Sequence, residues 1–201
     1  MRIVGGRWRG HPLEAPDGRD VTRPTTDRTR ESMASMVLSA FGLDLAGVSV
    51  LDAFAGSGAI GFELLSRGAA SCTFVDRDRG AAARVRRNAR SLGAEGVSHV
   101  LPGDVFRLAR RPGMRGAPFS LVVLDPPYAV SSADVSRLVG DLRASGLVAA
   151  RALVLYEHAS KEPGLALAGA RQLREKSHGI TTVEILELEE KNADAGESHE
   201  A

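Results

Sequence analysis

The sequence predicts a doubly wound α/β domain on a mostly parallel sheet, and three observations carry that expectation. After Gly47, short and nearly continuous apolar runs such as VSVLDAF, SCTFVD and FSLVVLD alternate with helical stretches. Strands covered on both faces look like this, whereas a sheet with one wet face alternates strictly. A glycine cluster, DAFAGSGAIGFE at residues 52 to 63, sits where the first of these runs gives way to a helix. The chain has 201 residues with 43% apolar content, enough for one domain of ordinary size and no second large one.

Gly5, Gly6, Gly10, Pro12, Pro16 and Gly18 punctuate residues 1–24, which read as a short hairpin or arm. From about Asp27 to Phe41, Met33, Met36, Val37, Ala40 and Phe41 fall at helical spacing, with Gly42 as a stop and Arg28 and Arg30 on the opposite face. The strand VSVLDAF follows, then a helix from about Ala59 to Arg67 ending at Gly68. The strand SCTFVD leads into a helix from about Arg79 to Leu92 that stops at Gly93. Further strands are VSHVL (97–101), FSLVVLD (119–125), ALVLYEH (152–158), roughly ARQLREK, and TTVEILEL (181–188). The main domain is expected over residues 25–190. Residues 191–201 have the composition of a disordered acidic tail.

No apolar run reaches the roughly 20 residues of a membrane span, and MRIVGGRWRG has no signal-peptide core. A cytoplasmic protein is expected. Cys72 is the single cysteine and the five histidines are scattered, so neither a disulfide nor a metal site is expected. From Glu187 to Ala201 six acids face one lysine, a net of −5, which leaves residues 1–186 at +6 of the total +1. Residues 77–115 hold ten arginines against three acids, and residues 1–30 seven arginines against four. Two basic zones suit a polyanionic partner. A solvated surface in an arginine-rich chain reads the same way.

Gly56, Gly58 and Gly61 satisfy G-x-G-x-x-G at a strand-to-helix turn, where the backbone can approach a ligand and helix N–H groups are free. A nucleotide or nucleoside cofactor is implied; a dinucleotide enzyme and a plain packing turn are the alternatives. Two carboxylates bear on the choice. Asp52 precedes the glycines, where it would repel a pyrophosphate but hold an ammonium. Asp76 ends the second strand, where a carboxylate can accept from a ribose diol. Asp76 suits either cofactor, and Asp52 favours S-adenosylmethionine. Asp104, after the third strand, can accept from an adenine amino group or simply serve as a turn residue.

The fourth strand ends in Asp125, Pro126, Pro127 and Tyr128. A residue before proline is held extended, and neither proline has an N–H, so the tetrapeptide offers a rigid acceptor edge. The Asp125 carboxylate and the Pro126 carbonyl can both receive hydrogens from one planar exocyclic amino group, and Tyr128 offers a face for a base to stack on. Such an amino group is a poor nucleophile, and acceptors that hold it as it turns pyramidal favour the reacting geometry. Trp8, between Arg7 and Arg9, suits phosphate contact with base stacking. It suits equally a staple that pins the arm.

DAFAGSGAIG, then FVDRD, then LDPPY, preceded by GGRWRG and TRPTTDRTRES, resembles the RsmD family of bacterial 16S ribosomal RNA guanine-N2 methyltransferases, from Arg2 to about Leu188. The resemblance implies a seven-stranded Rossmann-like methyltransferase fold and methyl transfer from S-adenosylmethionine to the N2 of guanine 966. It implies that Asp52, Gly56, Ser57 and Gly58 line the methionine end of the cofactor, Asp76 the ribose, and Asp104 with Val105 the adenine. Asp125 to Tyr128 would hold the target guanine, and Arg23, Pro24, Thr25 and Thr26 would come near the active-site mouth; Arg7, Trp8, Arg9, Arg23, Thr25, Thr26 and Arg28 are the expected RNA contacts. The glycine loop and DPPY are shared by amino-methylating enzymes on DNA, RNA and protein, so the substrate rests on RPTTDR and the compact size. A DNA adenine-N6 or cytosine-N4 methyltransferase and a non-catalytic RNA-binding module are the alternatives. The first lacks a DNA-reading domain here, and the intact DPPY opposes the second. A monomer acting on 16S ribosomal RNA, within an assembling subunit or free, is expected. One departure is visible: KSHGIT stands where the family often has Lys-x-Tyr-Gly-Asp-Thr, with His178 and Ile180 at the Tyr and Asp places.

Overall fold

The computed structural model describes residues 1–15 and 27–190. Helix α1 spans Asp27–Ala40, and strand β1 (Ser49–Asp52) leads into α2 (Ala59–Ser66). Strand β2 (Ser71–Asp76), α3 (Arg79–Ser91), β3 (Ser98–Pro102) and the short α4 (Val105–Leu108) follow. The chain continues through β4 (Phe119–Leu124), α5 (Ser132–Ala144), β5 (Val148–Ala159), β6 (Ala170–His178) and β7 (Thr181–Leu188).

The seven strands form one sheet in the order β3-β2-β1-β4-β5-β7-β6. The first five strands run parallel, and β7 lies antiparallel between β5 and β6. The expected doubly wound, mostly parallel sheet is the one observed. Strand alternation divides its core in two. Val50, Val123, Leu155 and Ile185 face α1, α2 and α3, while Leu51, Val122, Val154 and Leu186 face the side covered by α4 and α5. Both faces are covered, which is why the strands read as continuous apolar runs.

Helix α5 is absent from the elements read from the sequence. Its signal is present nonetheless: Val135, Leu138, Val139 and Leu142, at i, i+3, i+4 and i+7, are all buried. The Ser131 hydroxyl caps it by accepting from the Asp134 N–H at 3.1 Å.

Residues 1–13 form a hairpin, with Ile3 N–H donating to His11 O at 3.0 Å and Leu13 N–H to Met1 O at 2.9 Å. Ile3 and Leu13 are buried in the core on the α1–α3 side. The fully buried Glu63 of α2 accepts from the Val4 and Gly5 N–H groups, each at 2.8 Å, and pairs with Arg67 at 2.9 Å. A Cβ on Gly6 would meet Ser66 O at 2.1 Å, so only glycine lets the hairpin lie this close to α2. The hairpin is thus docked onto the domain. The tail expected at 191–201 lies outside the described residues. Among the described residues no helix is long and apolar enough to cross a membrane, and no group of His, Cys, Asp and Glu is arranged to hold a metal.

Candidate active site

From β1 the chain turns to β2 on one side, and from β4 to β5 on the other, so the carboxyl ends of β1 and β4 flank the reversal of strand order. In open α/β sheets ligands bind in the crevice at such a point. Asp52 ends β1, Asp76 ends β2, Asp104 follows β3 and Asp125 follows β4, so all four acids singled out in the sequence meet this one edge.

The glycine loop is anchored to both neighbouring strands, Ala53 N–H to Val123 O at 3.1 Å and Ala55 N–H to Val75 O at 3.0 Å. Its three glycines answer different demands. A Cβ on Gly61 would stand 2.3 Å from the Phe74 ring, and one on Gly58 2.7 Å from Phe62, so these two allow helix-to-strand packing. Gly56, at φ +54°, borders open space. There the backbone is open to a ligand. Ser57 is buried, with its hydroxyl turned to Met1 Sδ at 3.7 Å and its carbonyl accepting from Asn88 Nδ2 at 3.0 Å.

Asp52 is buried and accepts from the Gly61 N–H at 3.2 Å. Burial raises its carboxyl to about 7; the Gly61 bond opposes this, and the nearby Asp125 and Asp76 carboxylates add to the rise. Asp76 is fixed by two backbone donors, Gly56 N–H on one oxygen and Asp78 N–H on the other, both at 2.8 Å. Among the described residues no cation forms a salt bridge with Asp52 or Asp76. A buried carboxyl with no salt-bridging cation, repelled by two neighbouring acids, favours a positively charged ligand and disfavours a pyrophosphate.

Asp104 caps α4, accepting from the Phe106 N–H at 2.9 Å, and its other oxygen lies 3.8 Å from Arg107 Nε. Val105 is buried beneath it. Phe106 packs edge to face against Phe54 with ring centroids 6.1 Å apart. This apolar pair beside Asp104 escaped the sequence reading. Its signal was two D-x-F triplets, DAF at 52–54 and DVF at 104–106, each beginning at or just beyond the end of a strand.

Beyond β4, Asp125 and Pro126 are half-buried, Pro127 is exposed, and Tyr128 retains 68% exposure. The Val130 N–H donates to Pro127 O at 2.9 Å and closes the turn. Because Val123 pairs with Asp52, Asp125 stands two residues further out on the same sheet face.

The residues expected on the RNA side separate. Arg28 is exposed in the first turn of α1, at the active edge, while Arg23, Pro24, Thr25 and Thr26 lie outside the described residues. Arg7, Trp8 and Arg9 are at the other end of the domain. Helices α2 and α3 descend from the carboxyl edge, and the Trp8 N–H donates to Ser66 Oγ at the foot of α2 at 3.0 Å. The Arg7 guanidinium lies 4.1 Å over the Trp8 ring, which packs partly against the core. With Leu92, Gly93, Gly96 and Val97 the two residues line a depression of about 240 Å³.

A family model described as Conserved hypothetical protein 95 matches residues 1–187. The Ribosomal RNA small subunit methyltransferase D of Escherichia coli is 34% identical over 165 residues, 82% of this chain and 77% of that one. The chain belongs to the RsmD family. An RsmD-family protein of Haemophilus influenzae with the same name is 28% identical over 92% of each chain. A solved Escherichia coli structure, provisionally named a methyltransferase, superposes with a TM-score of 0.78 at 29% identity, covering 94% of this chain and 98% of that one. The RsmD-family chain also shares its fold with the magnesium protoporphyrin IX methyltransferase of Synechocystis holding S-adenosylmethionine, at a TM-score of 0.59 and 18% identity over 86% of each. The family match begins at Met1, so the docked hairpin belongs to the RsmD-family unit.

Proposed function

We propose that the protein transfers a methyl group from S-adenosylmethionine to the exocyclic N2 of a guanine in small-subunit ribosomal RNA, guanine 966 by its resemblance. The observation that carries the cofactor is the buried Asp52 with Asp76 and Asp125 around it and no salt-bridging cation on Asp52 or Asp76. A dinucleotide would bring a pyrophosphate to these acids, whereas S-adenosylmethionine brings a sulfonium and an ammonium. The relatives' shared name supports ribosomal RNA as substrate.

The residues fit that cofactor. Asp52 would hold its ammonium, directly or through water, Gly56 would admit it closely, and Asp76 would accept from the ribose hydroxyls. Asp104 with the Phe54 and Phe106 rings would take the adenine. Bound there, the cofactor supplies an electrophilic methyl on a cationic sulfur. The Asp125 carboxylate and Pro126 carbonyl accept the two hydrogens of the target amino group, which turns its nitrogen lone pair toward the cofactor crevice. The two prolines add no donor to compete for that lone pair, and Tyr128 stacks on the base. As N2 gains the methyl it must lose a proton, and the Asp125 carboxylate is the acceptor in reach.

Mass spectrometry of ribosomal RNA from cells with and without the protein tests the reading. One N2-methylguanine of the small-subunit RNA should be lost in its absence. An unchanged guanine methylation pattern would overturn it.

A further inference from the structure

The KSHGIT turn between β6 and β7 is the motif that the proposed chemistry leaves unused, and its position gives it a role. Leu124, Tyr156 and Glu184 share one rung across β4, β5 and β7. Four residues outward along each chain stand Tyr128, Ser160 and Ile180, and the Ser160 N–H donates to Ile180 O at 2.8 Å. The β6–β7 turn adjoins the end of β5, so Ile180 stands at the carboxyl edge of the sheet, and Tyr128, in the turn after β4, stands at the same edge.

Both are exposed, Tyr128 at 68% and Ile180 at 64%. The third large exposed apolar side chain among the described residues, Leu43, follows α1 at the opposite end. Scattered apolar exposure is ordinary, but two such side chains at the edge that carries a proposed site offer it apolar contact surface. The turn is also held in place. His178 Nε2 meets Ser32 Oγ of α1 at 2.9 Å, and Gly179 at φ +63° completes the reversal. Exposed Lys161 and Lys176 flank the tip and Arg28 is exposed in the first turn of α1, with exposed Glu162 beside Lys161 and Glu175 accepting from Gln172 Nε2 at 2.8 Å.

We propose that Ile180, at the tip of the β6–β7 turn, is a specificity-determining contact for the RNA: it packs against the nucleotide next to the target base, on the same edge of the sheet as Tyr128. The lysines on either side receive its phosphates. His178 is a positioning residue that holds the turn through Ser32. The inference rests on the reading of DPPY as the holder of the target base. Where the family often carries an acid, an isoleucine supplies apolar surface and no charge to repel a phosphate.

The test is steady-state methylation of small ribosomal subunits from cells lacking the protein, with Ile180→Val, Ile180→Ala, Ile180→Asp and His178→Ala beside Asp125→Ala. Ile180→Asp should raise KM for the subunit about tenfold or more and Ile180→Ala about threefold, with kcat within about twofold and S-adenosylhomocysteine affinity unchanged. Ile180→Val should behave as wild type, and His178→Ala should raise KM as Ile180→Ala does. Ile180 is exposed, so thermal melts should not move. If Asp125→Ala is slow while Ile180→Asp keeps the wild-type KM, the turn proposal alone is overturned. If Asp125→Ala methylates at the wild-type rate, the reading of DPPY fails and this inference fails with it.

Discussion

Asp52 and Asp125 stand on the same face of adjacent parallel strands, and the charge of Asp125 helps to hold the buried Asp52 carboxyl near 7. An ammonium placed beside such an acid would offset the cost of ionising it when buried and oppose the repulsion from its neighbours.

Cofactor affinity should therefore rise with pH through about 7 as Asp52 ionises, and binding below that pH should release a proton. Calorimetry at pH 6, 7 and 8 in buffers of different ionisation enthalpy reads both effects. Asp52→Asn should weaken binding about tenfold or more at pH 8 and flatten the pH dependence. Without cofactor the sign reverses. The unfolded carboxyl ionises near 3.8 and the folded one near 7, so stability present below pH 4 is lost as pH rises through 7. Asp52→Asn should then be the more stable protein at pH 8. Equal melting temperatures for the two at pH 5 and pH 8 would contradict the raised carboxyl.

Asp125 and Asp76 should fail differently. Asp125→Ala should slow single-turnover methyl transfer about 10²-fold or more, roughly 2.7 kcal/mol, with cofactor affinity little changed. Asp76→Ala should raise the cofactor dissociation constant about tenfold, and turnover should largely return at saturating cofactor. The same rate defect in both would deny the division of labour.

The glycines offer a third comparison. Gly61→Ala would drive a Cβ to 2.3 Å from the Phe74 ring and should cost about 1–3 kcal/mol in urea unfolding. Gly56→Ala meets no atom within 4 Å and should cost only about 1 kcal/mol of left-handed backbone strain, while weakening cofactor binding. If Gly56→Ala binds cofactor normally, the ligand does not approach that backbone.

Glu63 should be a stability residue remote from the chemistry. Glu63→Ala leaves the Val4 and Gly5 N–H groups and Arg67 without their shared acceptor and should cost about 3 kcal/mol. Faster amide exchange at Val4 and Gly5 would identify hairpin release as the cause. Unchanged exchange would place the loss elsewhere.

Much of this was legible in the linear chain, because the residues concerned act where local backbone rules operate. A strand followed by glycines, an acid at a strand end and a proline pair each impose local geometry, so the sheet, the acids at Asp52, Asp76 and Asp125, and DPPY could be read directly. The stripe of α5 was equally local and was overlooked. What only the tertiary structure decided depends on contacts between residues far apart in sequence. The insertion of β7 between β5 and β6 is a choice of pairing partner that neither strand encodes alone. Arg7, Trp8 and Arg9 read as RNA contacts by composition, yet the docking of the hairpin on Glu63 and Ser66 carries them to the end opposite the acids. Phe54 and Phe106 lie 52 positions apart in sequence and meet beside Asp104 because parallel strands bring their loops to one edge. The elevated Asp52 carboxyl arises from burial beneath the fold and from the field of acids on two neighbouring strands, and no run of residues around position 52 contains either.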